Sequence, residues 1–199
     1  MTHPFLTKPN YTRIFGHRGA RGDIVENSLS GFKYTFDLGI RAVEFDVLIS
    51  KDNVPVLFHD YRLNPDLVKD SSGNWITDKS TKLVDLTYEE ISKYNIESIK
   101  PETKYAKRFK NQRSSKGEKI PKLTEFFKLA TQEKYKDVFL NLEIKSTPIQ
   151  ENVTPDPDKM VSLILKDIKD FKLEDRTLIT SYDWRILYAL KKQNPNILR

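Results

Sequence analysis

Residues 42–60 read AVEFDVLISKDNVPVLFHD. Two short apolar runs carry Glu44, Asp46 and His59 at or near their ends. In a β-strand alternate side chains share a face, so Glu44 and Asp46 project one way while Val43, Phe45 and Val47 project the other. The apolar face suits packing beneath helices. The opposite face leaves two carboxylates side by side on a buried strand, where each, unpaired, costs roughly several kcal/mol of desolvation. A cation or a basic partner is therefore required, and a hard divalent metal is the simplest one.

Upstream, Ile14 and Phe15 run into Gly16-His17-Arg18-Gly19 and then Ala20-Arg21-Gly22. Apolar residues entering a glycine-flanked His-Arg pair read as a strand delivering side chains into a loop whose backbone approaches a ligand. The pair suits a phosphate ester, because Arg binds two phosphate oxygens through its planar fork and His moves a proton near neutral pH. Taken alone, such a pair is more often a surface feature. Glu26-Asn27-Ser28 precede a helix in which Leu29, Phe32 and Phe36 share one face. Asn27 or Ser28 is its expected N-cap and Gly39 its stop, and capping is the expected role of Asn27. Glu26 either complements the helix dipole or completes a metal or Arg18 contact.

Downstream, Ser50-Lys51-Asp52-Asn53 is a turn, and Pro55-Val56-Leu57-Phe58 runs into His59-Asp60. Strand, helix, strand and a further strand suggest parallel pairing in an α/β fold. In an α/β barrel the C-terminal strand ends share one face, so His17, Glu44, Asp46 and His59 would converge there.

GHRGARG, ENS, VEFDVLISKDN and FHD, in this order and spacing, resemble the glycerophosphodiester phosphodiesterase family. The resemblance implies a TIM-type (β/α)8 barrel, a divalent cation, Ca²⁺ or Mg²⁺, held by carboxylates, and two histidines for acid–base chemistry. His17 and Arg18 match the family's His-Arg pair, Glu44 and Asp46 its metal-binding Glu-x-Asp, and His59 its His-Asp histidine. Val25 stands where the family usually has proline, and Asn53 where it often has glycine. Both are turn positions.

Residues 61–119 form a long polar stretch of weak periodicity, expected as an insertion after the third strand. Within it Leu86-Thr87 with Glu90-Ile91 predicts a capping box with a hydrophobic staple. Trp75, Tyr88, Tyr94 and Tyr105 either line a substrate mouth or form a small satellite core. The basic run Lys104, Lys107, Arg108, Lys110 and Arg113 is by default a solvated face. Regular structure resumes with Leu123, Phe126, Phe127 and Ala130 at helical spacing. In the stretch 138–145, alternation sets Asn141, Glu143 and Lys145 opposite Leu140, Leu142 and Ile144. This stretch resembles the family's Glu-Ile-Lys strand, which implies Glu143 as third metal carboxylate and Lys145 as a cation for the phosphate. Arg18, Lys145 and Glu26 make up the expected substrate contacts. A helix opening at Asp156-Pro157-Asp158 carries Val161, Ile164, Leu165 and Ile168 on one face. A strand over Thr177–Thr180 then leads to a helix capped by Asp183. The Asn-x-Thr matches at Asn10 and Asn152 are expected to be chance.

Strands near Phe15, Val43, Val56, Leu142 and Ile179 make about five of the eight a barrel needs, an apparent shortfall of roughly 50–60 residues. The sequence thus reads as a single barrel domain over 1–199, C-terminally truncated. With 199 residues and 38% hydrophobic composition it can bury a substantial core. No apolar run approaches a membrane span, and the first residues lack the apolar core of a signal peptide. As written, the chain reads as soluble and cytoplasmic; a removed leader would make it periplasmic or secreted. The absence of cysteine excludes disulfides, thiolate ligands and a Cys nucleophile. The net charge of +6 has no nucleic-acid motif beside it and is read as a lysine-rich surface rather than a nucleic-acid footprint.

The leading expectation is metal-dependent hydrolysis of a small glycerophosphodiester to glycerol 3-phosphate and an alcohol such as choline or ethanolamine. A sphingomyelinase D-like lipid phosphodiesterase is the alternative enzyme. Outside enzymes, a catalytically silent fragment or binding protein and a basic nucleic-acid binder are the alternatives.

Overall fold

The computed structural model describes residues 12–150 and 152–199; the chain start, including Asn10, lies outside them. Its centre is β2 (Ala42–Ile49), which is buried along almost its whole length. The other strands are β1 (Gly16–His17), β3 (Pro55–Leu57), β4 (Phe139–Ile144) and β5 (Thr177–Thr180). β1, β2, β4 and β5 run parallel in that spatial order. All five expected strands are present.

One expectation needs correction. β3 pairs with β2 antiparallel, with Val47 opposite Leu57 and Ile49 opposite Pro55. The physical reason is loop length, since a parallel partner requires a crossover of a dozen or more residues and only Ser50–Val54 intervene here. Asn53 makes the reversal at φ 66°, a left-handed conformation that Gly adopts freely and Asn tolerates best among other residues. The substitution of Asn for glycine at this turn thus keeps its geometry.

The apolar face of the sheet is covered by α1 (Leu29–Asp37), α4 (Leu123–Ala130), α5 (Pro157–Asp170) and α6 (Trp184–Gln193), with short α2 (Tyr88–Ile91) and α3 (Lys104–Arg108) in the connection after β3. Phe32 and Phe36 from α1 meet Phe126 from α4 and Phe45 from β2. The Phe32 and Phe126 rings lie 4.2 Å apart, and Phe45 and Phe126 meet edge-on at 4.7 Å. Val43, Phe45 and Val47 join the same core as Leu140, Leu142 and Ile144, as the alternation requires. After α6 the chain returns to the sheet, where Ile179 N–H donates to Leu198 O at 2.9 Å. β1 and β5 end the sheet and are not hydrogen-bonded to one another among the described residues. No helix there is long and apolar enough to cross a membrane.

Residues 61–119 build a second core with Leu48, Val56 and Phe58, in which Leu63, Val68, Leu83, Ile91 and Ile96 are buried. Tyr88, Tyr94 and Tyr105 pack against it, the satellite-core alternative, and Trp75 stacks beneath Lys69. Thr87 and Glu90 form the expected capping box. Val25, at the family's proline position, is buried in this core. The segment also braces the glycine-rich loop. Gln112 Nε2 donates to Arg21 O at 2.8 Å, Arg113 N–H to Asp23 O at 2.8 Å, and Glu118 accepts from Leu29 N–H at 2.8 Å at the start of α1.

Candidate active site

Register assembles the site. His17 on β1 pairs with Glu44 on β2, which pairs with Asn141 on β4; one step further along, Asp46 pairs with Glu143, which pairs with Thr180 on β5. Partners across a parallel ladder project to the same face. The face away from the helices therefore carries three carboxylates, Glu44 and Asp46 from the body of β2 and Glu143 from near the end of β4. Oxygens of Glu44, Asp46 and Glu143 lie within 4.8 Å of one another. Two oxygens sharing one Ca²⁺ at 2.3–2.6 Å are at most about 4.6–5.2 Å apart, so the spacing fits a single cation.

The electrostatics point the same way. Burial pushes the Glu44 carboxyl up to about 7, and the neighbouring Asp46 and Glu143 charges add to this against the opposing Arg18 N–H bond. That bond, from the Arg18 backbone to Glu44 Oε2, is 3.0 Å. Asp46 is 1% exposed, and its Oδ1 accepts no hydrogen bond among the described residues. Lys145 Nζ sits 2.8 Å from Glu143 Oε1 and 3.7 Å from Asp46 Oδ1. Burial depresses the Lys145 ammonium, but the Glu143 hydrogen bond and the Asp46 and Glu143 charges outweigh it and hold the group above its ordinary value. A hard oxygen donor set with a buried, unsatisfied carboxylate oxygen suits a divalent cation.

Arg18 adopts φ 52° and is nearly enclosed. Its Nη1 donates to Glu26 Oε1 at 2.8 Å, and its Nε lies 3.1 Å from Asp46 Oδ2. Glu26 faces arginines on two sides, with Arg21 Nε at 3.9 Å. Burial raises its carboxyl despite both of them. Of the two readings open for Glu26, the Arg18 contact is the one formed.

His17 lies beside the acids, with Nε2 3.6 Å from Glu44 Oε2. Burial lowers its pKa, and the Arg21 and Arg18 cations lower it further. It lines a cavity of about 340 Å³ with Glu44, Asn141, Glu143, Thr180 and Tyr182. His59 lines a second cavity, about 350 Å³, with Lys145, Tyr61, Arg62 and Gln150. Its Nδ1 is 2.6 Å from Asp60 Oδ1, and Asn64 Nδ2 donates to Asp60 Oδ2 at 2.7 Å. Burial alone would raise the Asp60 carboxyl, yet these two hydrogen bonds hold it below its usual range. An ionised Asp60 accepts a hydrogen bond from His59 Nδ1–H, which leaves Nε2 as the acceptor nitrogen.

Every site residue expected from the sequence thus lies on this face or in its second layer. Four contributors were not expected in these places. Asn27 is not the cap of α1: Ser28 Oγ accepts from Gly31 N–H at 3.0 Å, while the Asn27 amide binds Asp46. Asp60 was visible in the sequence only as the residue after His59. Thr180 and Tyr182 stand at the end of β5, where the strand-end rule applied to β1 and β2 would have placed them.

A mostly parallel α/β sheet with three acids and two imidazoles gathered on and beside its helix-free face defines a barrel-type protein built around an acid cluster. Residues 17–198 match the model of the glycerophosphoryl diester phosphodiesterase family, and the chain belongs to that family. A glycerophosphodiester phosphodiesterase of Caldanaerobacter subterraneus subsp. tengcongensis is 30% identical over 186 residues, covering 94% of this chain and 64% of the relative. A solved structure of a family member from Silicibacter pomeroyi DSS-3 is 34% identical with a TM-score of 0.89, over 96% of this chain and 64% of that one. An Oleispira antarctica phosphodiesterase, solved with the product sn-glycerol-3-phosphate, shares the fold at 24% identity and TM-score 0.68, over 92% of this chain and 63% of that one. These neighbours are TIM barrels. The chain spans a little under two-thirds of the length of each.

Proposed function

We propose that the protein hydrolyses glycerophosphodiesters to glycerol 3-phosphate and an alcohol, with Glu44, Asp46 and Glu143 holding one Mg²⁺ or Ca²⁺. The observation that carries this reading is the meeting of three carboxylates from two adjacent strands, flanked by His17 on one side and the Lys145–His59 cavity on the other. Family membership supports it, as does the glycerol 3-phosphate held by the Oleispira relative. When bound, the cation supplies a Lewis-acidic contact to the phosphate oxygens.

The chain's own groups divide the remaining work. Lys145, released from Glu143 and Asp46, offers a positive charge to the phosphoryl oxygens as negative charge grows on them. Arg18 stays paired with Glu26 and adds positive potential from behind. His59 Nε2, its tautomer set by Asp60, takes the proton of the attacking oxygen, whether water or the neighbouring glycerol hydroxyl. His17, across the acid cluster and in its protonated form, gives a proton to the departing alcohol as the phosphorus–oxygen ester bond breaks; where the glycerol hydroxyl is the attacking group, a second displacement by water opens the resulting cyclic phosphate to glycerol 3-phosphate. The test is release of glycerol 3-phosphate from glycerophosphocholine, followed by ³¹P NMR with Mg²⁺ or Ca²⁺ and again after chelation. Turnover that chelation abolishes supports the proposal. Full turnover in chelator, or in His59→Ala, would refute the corresponding part.

A further inference from the structure

Asn27 occupies an unusual position. It precedes the cap of α1, its backbone is at φ 49°, and its N–H donates to Arg18 O at 3.0 Å. The left-handed conformation, which Asn tolerates, turns the side chain away from the helix and toward β2. There Nδ2 donates to Asp46 Oδ2 at 2.9 Å, and the Asp46 backbone N–H donates to Asn27 Oδ1 at 3.2 Å. Two hydrogen bonds between one amide and one residue close a ring, and the amide is 1% exposed. Water cannot substitute for either bond.

The ring has a consequence for the acid cluster. Oδ2 of Asp46 is occupied by Asn27, with Arg18 Nε 3.1 Å away. The carboxylate cannot turn without breaking a buried hydrogen bond and an ion pair. Oδ1 is therefore fixed as the other oxygen, buried, without a hydrogen bond among the described residues, and on the side of Lys145, the same ammonium that touches Glu143. We infer that Asn27 is a positioning residue for Asp46, selecting which carboxylate oxygen meets the cation and holding it there before the cation arrives. The inference rests on the reading of Glu44, Asp46 and Glu143 as a cation site.

Cation binding by itself supplies the test, without reference to turnover. Mg²⁺ and Ca²⁺ are titrated by calorimetry into chelator-stripped protein and into Asn27→Gly, which keeps the left-handed backbone and removes the amide. The expected result is a dissociation constant weakened by about 10–100-fold, as for loss of other outer-shell partners, with the stoichiometry of the folded fraction unchanged. A purely structural role would instead lower the stoichiometry and leave the constant as it was, and that outcome overturns the inference. Asn27→Asp provides a second variant should Asn27→Gly fold poorly. It retains the acceptor for the Asp46 N–H but sets an oxygen against Asp46 Oδ2. Its added negative charge alone would tighten cation binding, so weaker binding supports positioning and equal or tighter binding refutes it. If the unaltered protein binds neither cation, the cation-site reading falls and Asn27 falls with it. If the unaltered protein binds and both variants bind equally well, only the role of Asn27 is lost.

Discussion

Replacing Glu44 by glutamine separates what the site costs the fold from what it does for the cation. The Glu44 carboxyl is pushed from 4.5 up to about 7 in the metal-free protein, first by burial and then by Asp46. A folded-state pKa above the unfolded value means that the protonated acid is favoured on folding. Its stabilising contribution is complete below the unfolded pKa and is lost as pH rises through about 7. At about 1.4 kcal/mol per unit, the rise from 4.5 to about 7 amounts to about 3 kcal/mol at alkaline pH. Glutamine keeps the shape and the acceptor for the Arg18 N–H but carries no charge, so it removes this penalty. Urea unfolding in chelator, followed by far-ultraviolet circular dichroism, is the assay. At about pH 8 Glu44→Gln is expected to be the more stable protein by about 2–3 kcal/mol, and at about pH 5 the difference shrinks toward zero. Added Mg²⁺ or Ca²⁺ reverses the order, because only the unaltered protein gains binding energy from it. An equal difference at both pH values would refute the argument that crowded, buried carboxylates meet here.

Three further outcomes follow from particular contacts. Phe126→Ala deletes a fully buried ring that touches Phe32 and Phe45, and is expected to lower unfolding free energy by about 3–5 kcal/mol in urea melts; a loss below about 1 would refute the packed α1–α4–β2 core. Asp60→Asn removes the anion hydrogen-bonded to His59 Nδ1 and should cut kcat by about 10²-fold or more with KM little changed, whereas unchanged kcat would exclude the orienting role. Gly16→Ala sets a methyl 2.5 Å from Gly19 O and 2.7 Å from Thr35 Cγ2, and because the first neighbour is backbone, the glycine-rich loop must move; Mg²⁺ or Ca²⁺ affinity measured by calorimetry should fall, and an unchanged affinity would show the loop to be slack.

Most of the fold was legible because its signals are local. Alternation over residues 139–144, and helical spacing from Leu123 and from Asp156, report which side of each element is buried, and burial follows them; β2 is buried on both faces, and there the alternation reports only which side carries the acids. The direction of β3 was equally readable from the short turn before it, but the βα pattern around it outweighed loop length. Asn27 misled for a different reason. Asn, Ser and Asp near a helix start all satisfy the capping preference, and only the three-dimensional course of the chain decides that Ser28 caps while Asn27, at positive φ, reaches another strand. The mouth-or-core choice for Tyr88, Tyr94 and Tyr105 was likewise undecidable in one dimension, since aromatic content does not say which surface it covers.

The acid cluster depends on a relation between segments about one hundred residues apart that no single segment contains. Within β2, the spacing of Glu44 and Asp46 fixes only that they share a face; within β4, the same holds for Asn141 and Glu143. Bringing Glu143 level with Asp46 requires the specific pairing in which Ala42 faces Phe139. A shift of that pairing by one residue would set Asp46 beside Leu142 or Ile144, turn one strand's apolar side chains away from the helices, and expose carboxylates to the core. Hydrophobic burial on the helix side thus selects the register, and the register delivers the carboxylates. Core packing and the site are one constraint read from the two faces of a single sheet, so a substitution such as Leu142→Asp should disrupt the acid cluster as surely as one within the cluster itself.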